Sequence, residues 1–408
     1  MQGQISPGYE SVRDMFKAGF DNGREVSAQL CVYVGDKMVI SLWHSNKNDA
    51  YTNNTLTAIF SCSKNLSSLA LAMLHDRGLL RYDARVEEYW PEFTGEGKEA
   101  ITVADIMRHE AGYARFPIEF NSIELLCVEN IKKNSIGILY EGTTPSYPKK
   151  GKREYHGATR GFLTNELFRR IEPSGCTIGE FVRREITNKL TIRVFIGVTE
   201  EELEDYEPVK AEGIISSGFT AVSTLPFNIW PIYIAEVVSR TTQFTLGEKK
   251  FDFTSVEDLI NDDSVRKAEI PSANGNASAE GLAKLAAFLA NKGQLGSERI
   301  LSEKSWLAMH AGVTDSGLLG DKFMTHYSQG GVNRYESDDD LLCCGRDGFW
   351  GWMGYGGSVF QWHPELKIGF AYLPTFLEWS DKTNSRGGLL QNEVVKCVNR
   401  ISVDSDNL

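Results

Sequence analysis

The chain has 408 residues, of which 41 % are apolar, so it can bury a sizeable core and is not globally disordered. Its 43 basic and 55 acidic side chains give a formal charge of -12 with no basic stripe to offset it, which disfavours a nucleic-acid partner. Its length suits two or three average domains, or one large domain with an insertion.

Seven cysteines (Cys31, Cys62, Cys127, Cys176, Cys343, Cys344 and Cys397) are few, odd in number and scattered. That argues against a disulfide framework and suits a reducing compartment. The opening MQGQISPGYESVRDMF lacks a basic region followed by an apolar stretch, so the expectation is a cytoplasmic protein. The greasiest run, LPFNIWPIYIA at 225–235, is too short to span a bilayer and is interrupted by Pro226, Asn228 and Pro231.

In chain order, AQLCVYVGDKMVISLW (28–43) places two β-rich runs around Gly35-Asp36 and predicts a hairpin. A helix follows over about 61–74, with Leu66, Leu69, Ala70, Met73 and Leu74 on one face and Gly78 suited to the stop. Thr102 opens another helix with Asp105 completing a capping-box-like pair, ending near Gly112. The middle, roughly 115–275, mixes helical and irregular stretches. LTNELFRRI (163–171) and TIGEFVRREI (177–186) have helical periodicity, and Thr199 with Glu202 can form a capping box. SAEGLAKLAAFLANK (278–292) predicts a further helix capped by Gly293. GSVFQW (357–362) and KIGFAYL (367–373) predict paired strands, and 388–401 a final amphipathic helix. Strands at both ends with helices between suggest one antiparallel sheet joining the first hairpin to the last strands, with the helical middle inserted.

FSCSKNLSS (60–68) carries chemistry. Ser61 and Lys64 are three apart at a helix start, so the lysine can reach the hydroxyl. A desolvated lysine loses proton affinity and can act as a base, and a helix N-terminus favours a developing oxyanion. In isolation the spacing is weak evidence, because S-x-x-K occurs often by chance, and an ordinary capped surface helix is the better reading. Other motifs are poor. His109-Glu110 lacks the second histidine of a zinc site. Ser337-Asp338-Asp339-Asp340 lacks the glycine and glutamate of an EF-hand loop. No G-x-S-x-G elbow occurs, which disfavours an α/β-hydrolase. Cys62 points away from Ser61 on a helix and reads as packing.

Context extends the S-x-x-K match. Gly78-Leu79-Leu80, Asp83, Tyr89-Trp90-Pro91 and Ile101-Thr102 follow it, and EYHGATRGFL (154–163), IPSANGNASAEGLAKLAAFLANKG (270–293) and GWMGYGGSVFQWHPE (351–365) come later. Together these resemble the serine beta-lactamase and penicillin-binding-protein-like family, class C type, esterase-like branch, over nearly the whole chain. The resemblance implies an α+β beta-lactamase-like fold. Residues 1–80 and 278–408 would form the sheet domain and 81–277 a mainly helical insertion. It implies three site motifs: Ser61 with Lys64; Tyr155-His156-Gly157, where the family's asparagine is missing; and Trp352-Met353-Gly354, where an indole replaces a cationic or imidazole side chain.

The roles implied are Ser61 as nucleophile and Lys64 with Tyr155 as the proton-handling pair, with Tyr155 acting as phenolate or as relay. The backbone N–H groups of Ser61 and Tyr355 would form the oxyanion site. Trp352 and Gly354 would contact substrate, with His156 either a further polar contact or a satisfied structural histidine. The aromatic run Phe227, Trp230 and Tyr233 either covers an acyl pocket or packs in a core or interface. An indole cannot pair with a carboxylate, so a neutral ester or amide fits better than a penicillin.

The expected activity is a serine hydrolase of carboxylesterase or transacylase type with weak or no beta-lactamase activity. It needs no cofactor or metal, acts on a small ester or amide, and has neither a nucleic-acid partner nor a membrane span; a homo-oligomer stays open. The alternatives are a peptidase for D-amino-acid peptides and a non-catalytic assembly protein.

Overall fold

The computed structural model describes residues 1–114, 122–146, 152–211, 256–317, 324–336, 342–343, 345–378 and 383–406. Phe227, Trp230 and Tyr233, the rest of the 225–235 run, Cys344 and residues 337–340 lie outside them. The predicted hairpin forms as Ser27–Val34 and Lys37–Ser45. Its first strand pairs antiparallel with Ile368–Pro374, which pairs with Val359–His363, which pairs with Trp350–Met353. Both chain ends thus enter one antiparallel sheet, nine-stranded among the described residues, the α+β architecture expected.

Period-2 alternation divides the sheet's side chains between two cores. Cys31, Phe360, Trp362, Ala371 and Leu373 join one apolar cluster, while Leu30, Val32, Val359, Phe370 and Tyr372 join the other. The helix Ala279–Ala290, capped by the Ser278 hydroxyl, lies in the first cluster. It comes so close at Gly369 that a Cβ there would meet Ala287 N at 2.4 Å. The N-terminal helix Glu10–Asp21 and the C-terminal helix Ser385–Asp406 cover the second face.

The first cluster also takes in Leu66, Leu69 and Leu74 of the helix Ser63–Asp76, and Leu163, Leu167 and Phe168 of the helix Thr159–Ile171. One core therefore runs from the sheet into the helical region.

The capping boxes at Thr102 and Thr199 form as their sequences predict. The Thr102 helix is shorter than its sequence suggests: it stops at Met107, and His109 turns the chain at φ +65°. The segment 177–186 begins as a helix (Ile178–Val182) and widens into a π-turn at Arg183–Thr187. A small second sheet joins Thr57–Phe60, Gly275–Ala277 and Val194–Ile196. Among the described residues, no helix is long and apolar enough to cross a membrane.

Candidate active site

The strand Thr57–Phe60 ends one residue before Ser61, and the helix Ser63–Asp76 begins two residues after it. Phe60 takes φ +47°, a left-handed conformation that costs a non-glycine residue about 1–2 kcal/mol. The kink turns the chain from strand to helix within three residues and leaves Ser61 half-buried while Cys62, Ser63 and Lys64 are buried.

Lys64 is fully buried. Its Nζ lies 2.8 Å from Gly157 O, 2.8 Å from Ser272 O and 3.2 Å from Ser61 Oγ. A neutral amine has two N–H groups and one lone pair. The two carbonyls can only accept, so they take the two N–H groups, and the lone pair is left facing the hydroxyl. Desolvation, with the positive charge of Arg160 added, pushes the Lys64 pKa well below its ordinary value and favours this amine form.

Ser61 Oγ also sits 2.5 Å from Tyr155 Oη. Burial pushes the Tyr155 pKa up to about 12, against smaller opposing effects of the Ser61 hydrogen bond and Arg160. The phenol stays protonated at neutral pH, which argues against the phenolate option and leaves Tyr155 able to donate to Ser61 once the serine proton points to Lys64.

The backbone beside Tyr155 is clamped by a residue that sequence reasoning considered only as a failed zinc motif. Glu154 N donates to His109 O (3.1 Å), and His156 N donates to His109 Nδ1 (2.9 Å), so His109 brackets Tyr155 from both sides. The His109 ring lies 5.1 Å from the Tyr155 ring and 5.5 Å from Trp352. No local sequence signal marks this role, because the groups His109 bonds lie some 45 residues further along the chain.

His156 lies beneath the site. It is fully buried, its Nε2 accepts from Tyr113 N at 2.9 Å, and its Nδ1 sits 2.6 Å from Glu154 O. Burial lowers its pKa to about 4. Both ring nitrogens are spent on backbone, so of the two readings the sequence left open this geometry fits the structural histidine and not the substrate contact.

Trp352 is also buried. Its Nε1 donates to Gly331 O (2.8 Å), its indole stacks on Tyr327 at 5.0 Å, and Lys64 Nζ lies 5.2 Å from the ring. It forms a floor under Lys64, and its backbone carbonyl lies 3.5 Å from Cys62 Sγ.

Gly354 follows that strand and opens the short turn Tyr355–Gly357. A Cβ on Gly354 would lie 2.5 Å from Ile59 O and 3.3 Å from Phe60 Cβ. This glycine therefore lets the turn carrying the Tyr355 N–H approach the chain just before Ser61. Asn384 Nδ2 bonds Gly354 O (2.9 Å) and Arg386 bonds Gly356 O (2.7 Å), fixing the turn from behind.

The antiparallel sheet flanked by helices, with serine, lysine and tyrosine side chains brought together beside its strands, is the beta-lactamase-like architecture, shared by hydrolases of the esterase and beta-lactamase type. The Beta-lactamase family model matches residues 12–392, and the chain belongs to that family. It is 26 % identical over 312 residues to the Esterase/beta-lactamase LipL of Mycobacterium tuberculosis (strain ATCC 25618 / H37Rv), covering 74 % of this chain and 67 % of that one.

Among solved structures, it resembles a penicillin-binding protein homologue from Caulobacter crescentus. The TM-score is 0.74 at 25 % identity, covering 97 % of this chain and 99 % of the other. It also resembles a family VIII carboxylesterase, with a TM-score of 0.76 at 23 % identity and the same coverage.

Proposed function

We propose that this protein is a serine hydrolase that cleaves a small neutral ester, or more slowly an amide, through an acyl group carried on Ser61. The observation that carries this reading is the enclosure of Lys64, with two carbonyls taking its N–H groups and Ser61 Oγ at the remaining position.

The Lys64 amine takes the Ser61 proton as Oγ attacks the substrate carbonyl. The oxygen that becomes negative is held by the N–H groups of Ser61 and Tyr355. As the tetrahedral adduct collapses, the leaving alkoxide takes the Tyr155 proton, and Tyr155 recovers one from the Lys64 ammonium. Water, or an alcohol in the transacylase variant, then enters by the same steps in reverse. The likeness to LipL supports ester chemistry. The Trp352 indole supports a neutral substrate over one needing a carboxylate anchor.

The test is intact mass after a fluorophosphonate, together with the p-nitrophenyl butyrate burst, for wild type and Ser61→Ala. One adduct and one burst per chain, both absent in the variant, are expected. A folded wild type that takes no label would refute the reading and turn attention to assembly, which light scattering would detect as polymers. Nitrocefin turnover is expected to fall well below ester turnover.

A further inference from the structure

Arg160 is a fully buried charge that the proposed chemistry does not use. It lies one turn into the segment after Tyr155, fully buried. Its Nη1 donates to Gly331 O (3.1 Å), its Nη2 to Ser68 Oγ (2.7 Å), and its buried Nε has no partner. No carboxylate among the described residues lies within ion-pairing distance of it. A buried cation without a counter-charge is destabilising, so fold stability does not account for it.

Its placement is specific. The Arg160 guanidinium lies 5.4 Å from the centre of the Trp352 indole, and Lys64 Nζ lies 5.2 Å from the same ring. At most about 11 Å therefore separates the two cationic groups, through an interior that screens weakly. The Gly331 carbonyl that Arg160 holds is also the acceptor of the Trp352 N–H, so the guanidinium and the indole are locked together.

Among the described residues, the other groups around Lys64 carry no competing charge. On its own element are Ser61 and the Cys62 thiol, whose pKa burial raises. From the following segment come the Tyr155 phenol and His156; His109 comes from the turn after Met107, and burial holds both histidines neutral. Behind Trp352 the Tyr327 phenol is likewise raised by burial, and Arg153 is paired with Glu110 at 2.8 Å.

We propose that Arg160 is a positioning residue whose fixed positive charge, acting through Lys64, keeps that side chain as the free amine and favours negative charge on Ser61 Oγ. This rests on Lys64 being the base. After desolvation, Arg160 is the largest influence lowering the Lys64 pKa, in agreement with the geometry.

The test is the pH profile of kcat/KM for p-nitrophenyl butyrate in wild type, Arg160→Lys, Arg160→Gln and Ser68→Asp. The acidic limb reports the base of the free enzyme. Arg160→Lys keeps the charge and should superimpose on wild type. Arg160→Gln removes the charge, and Ser68→Asp pairs it in place. Both should move the limb to higher pH by roughly one unit, with the rate recovering at alkaline pH.

An unmoved limb with only a lower plateau in Arg160→Gln would overturn the inference and leave Arg160 a packing residue, as would an equal shift in Arg160→Lys. If Arg160→Gln does not fold, Ser68→Asp decides. The two readings fail separately. A wild type whose rate ignores Lys64→Met refutes Lys64 as base, whereas an active, Lys64-dependent enzyme indifferent to the charge at position 160 refutes only this inference.

Discussion

Gly354→Ala isolates the closeness of the Tyr355 turn to Ser61. Gly354 has φ -99° and ψ 158°, which any residue adopts, so alanine meets no backbone penalty. The cost lies in contact alone: the new methyl would sit 2.5 Å from Ile59 O and 3.0 Å from Ser358 Cβ. The turn is tied by Gly354 N to Ser358 O (2.7 Å) and by Asn384 to Gly354 O, so the seam with Ile59 and Phe60 must open. Relieving the clash requires about 1 Å, since non-bonded carbons settle near 3.5–4.0 Å.

That displacement moves one proposed oxyanion donor out of reach. A misplacement of about 1 Å, or loss of one such donor, costs on the order of 100-fold in rate, roughly 2.7 kcal/mol. We expect kcat for p-nitrophenyl butyrate to fall about 100-fold with KM little changed, and overpacking to cost about 1–3 kcal/mol of stability. Steady-state kinetics with thermal unfolding checks both. Wild-type kcat in a folded Gly354→Ala would refute the requirement for this approach.

Four further outcomes are expected. Tyr155→Phe should lower kcat by about 100-fold or more, because Ser61 and the leaving group lose their proton donor; stopped-flow acylation would read it. His156→Ala should cost about 1–3 kcal/mol in urea unfolding by stranding the Tyr113 N–H, without raising KM in the residual activity. Glu269 is buried on Thr177, Asn165 and Gly179, and burial raises its pKa to about 7, so its protonated form stabilises the fold at low pH and that contribution fades as pH rises through about 7. Glu269→Gln, which can satisfy the same three partners, should match wild type at about pH 4 and exceed it in melting temperature at about pH 8. Desolvation, with Arg160 added, lowers the proton affinity of Lys64 in the folded chain, so the unfolded chain binds more protons below the ordinary lysine pKa. Wild-type stability relative to Lys64→Met should therefore rise with pH until about pH 10, measurable as paired urea midpoints.

What was legible in the sequence follows from how local each interaction is. The hairpin at Gly35-Asp36 and the capping boxes at Thr102 and Thr199 need only neighbours a few residues away. Ser61 and Lys64 are likewise one helical turn apart, so their spacing carried the chemical suggestion by itself. The joining of both chain ends in one sheet was inferable from where the strand-forming runs lie, because a half-buried strand must find a partner.

Tertiary structure alone decided the rest. Ser61 and Tyr155 are 94 residues apart and meet at 2.5 Å because the helices that follow them, Ser63–Asp76 and Thr159–Ile171, share one core. The sequence left His156 open between substrate contact and structural histidine; burial and two occupied ring nitrogens decided it. His109 was unreadable as a clamp because its partners, Glu154 and His156, lie some 45 residues on. Arg160 showed the largest gap: the one-letter code records a charge but not whether water or a carboxylate neutralises it. Composition and local spacing determined which groups the chain carries and which helix starts they occupy. The long-range packing decided which of them lose water, because desolvation depends on every element that closes over a side chain.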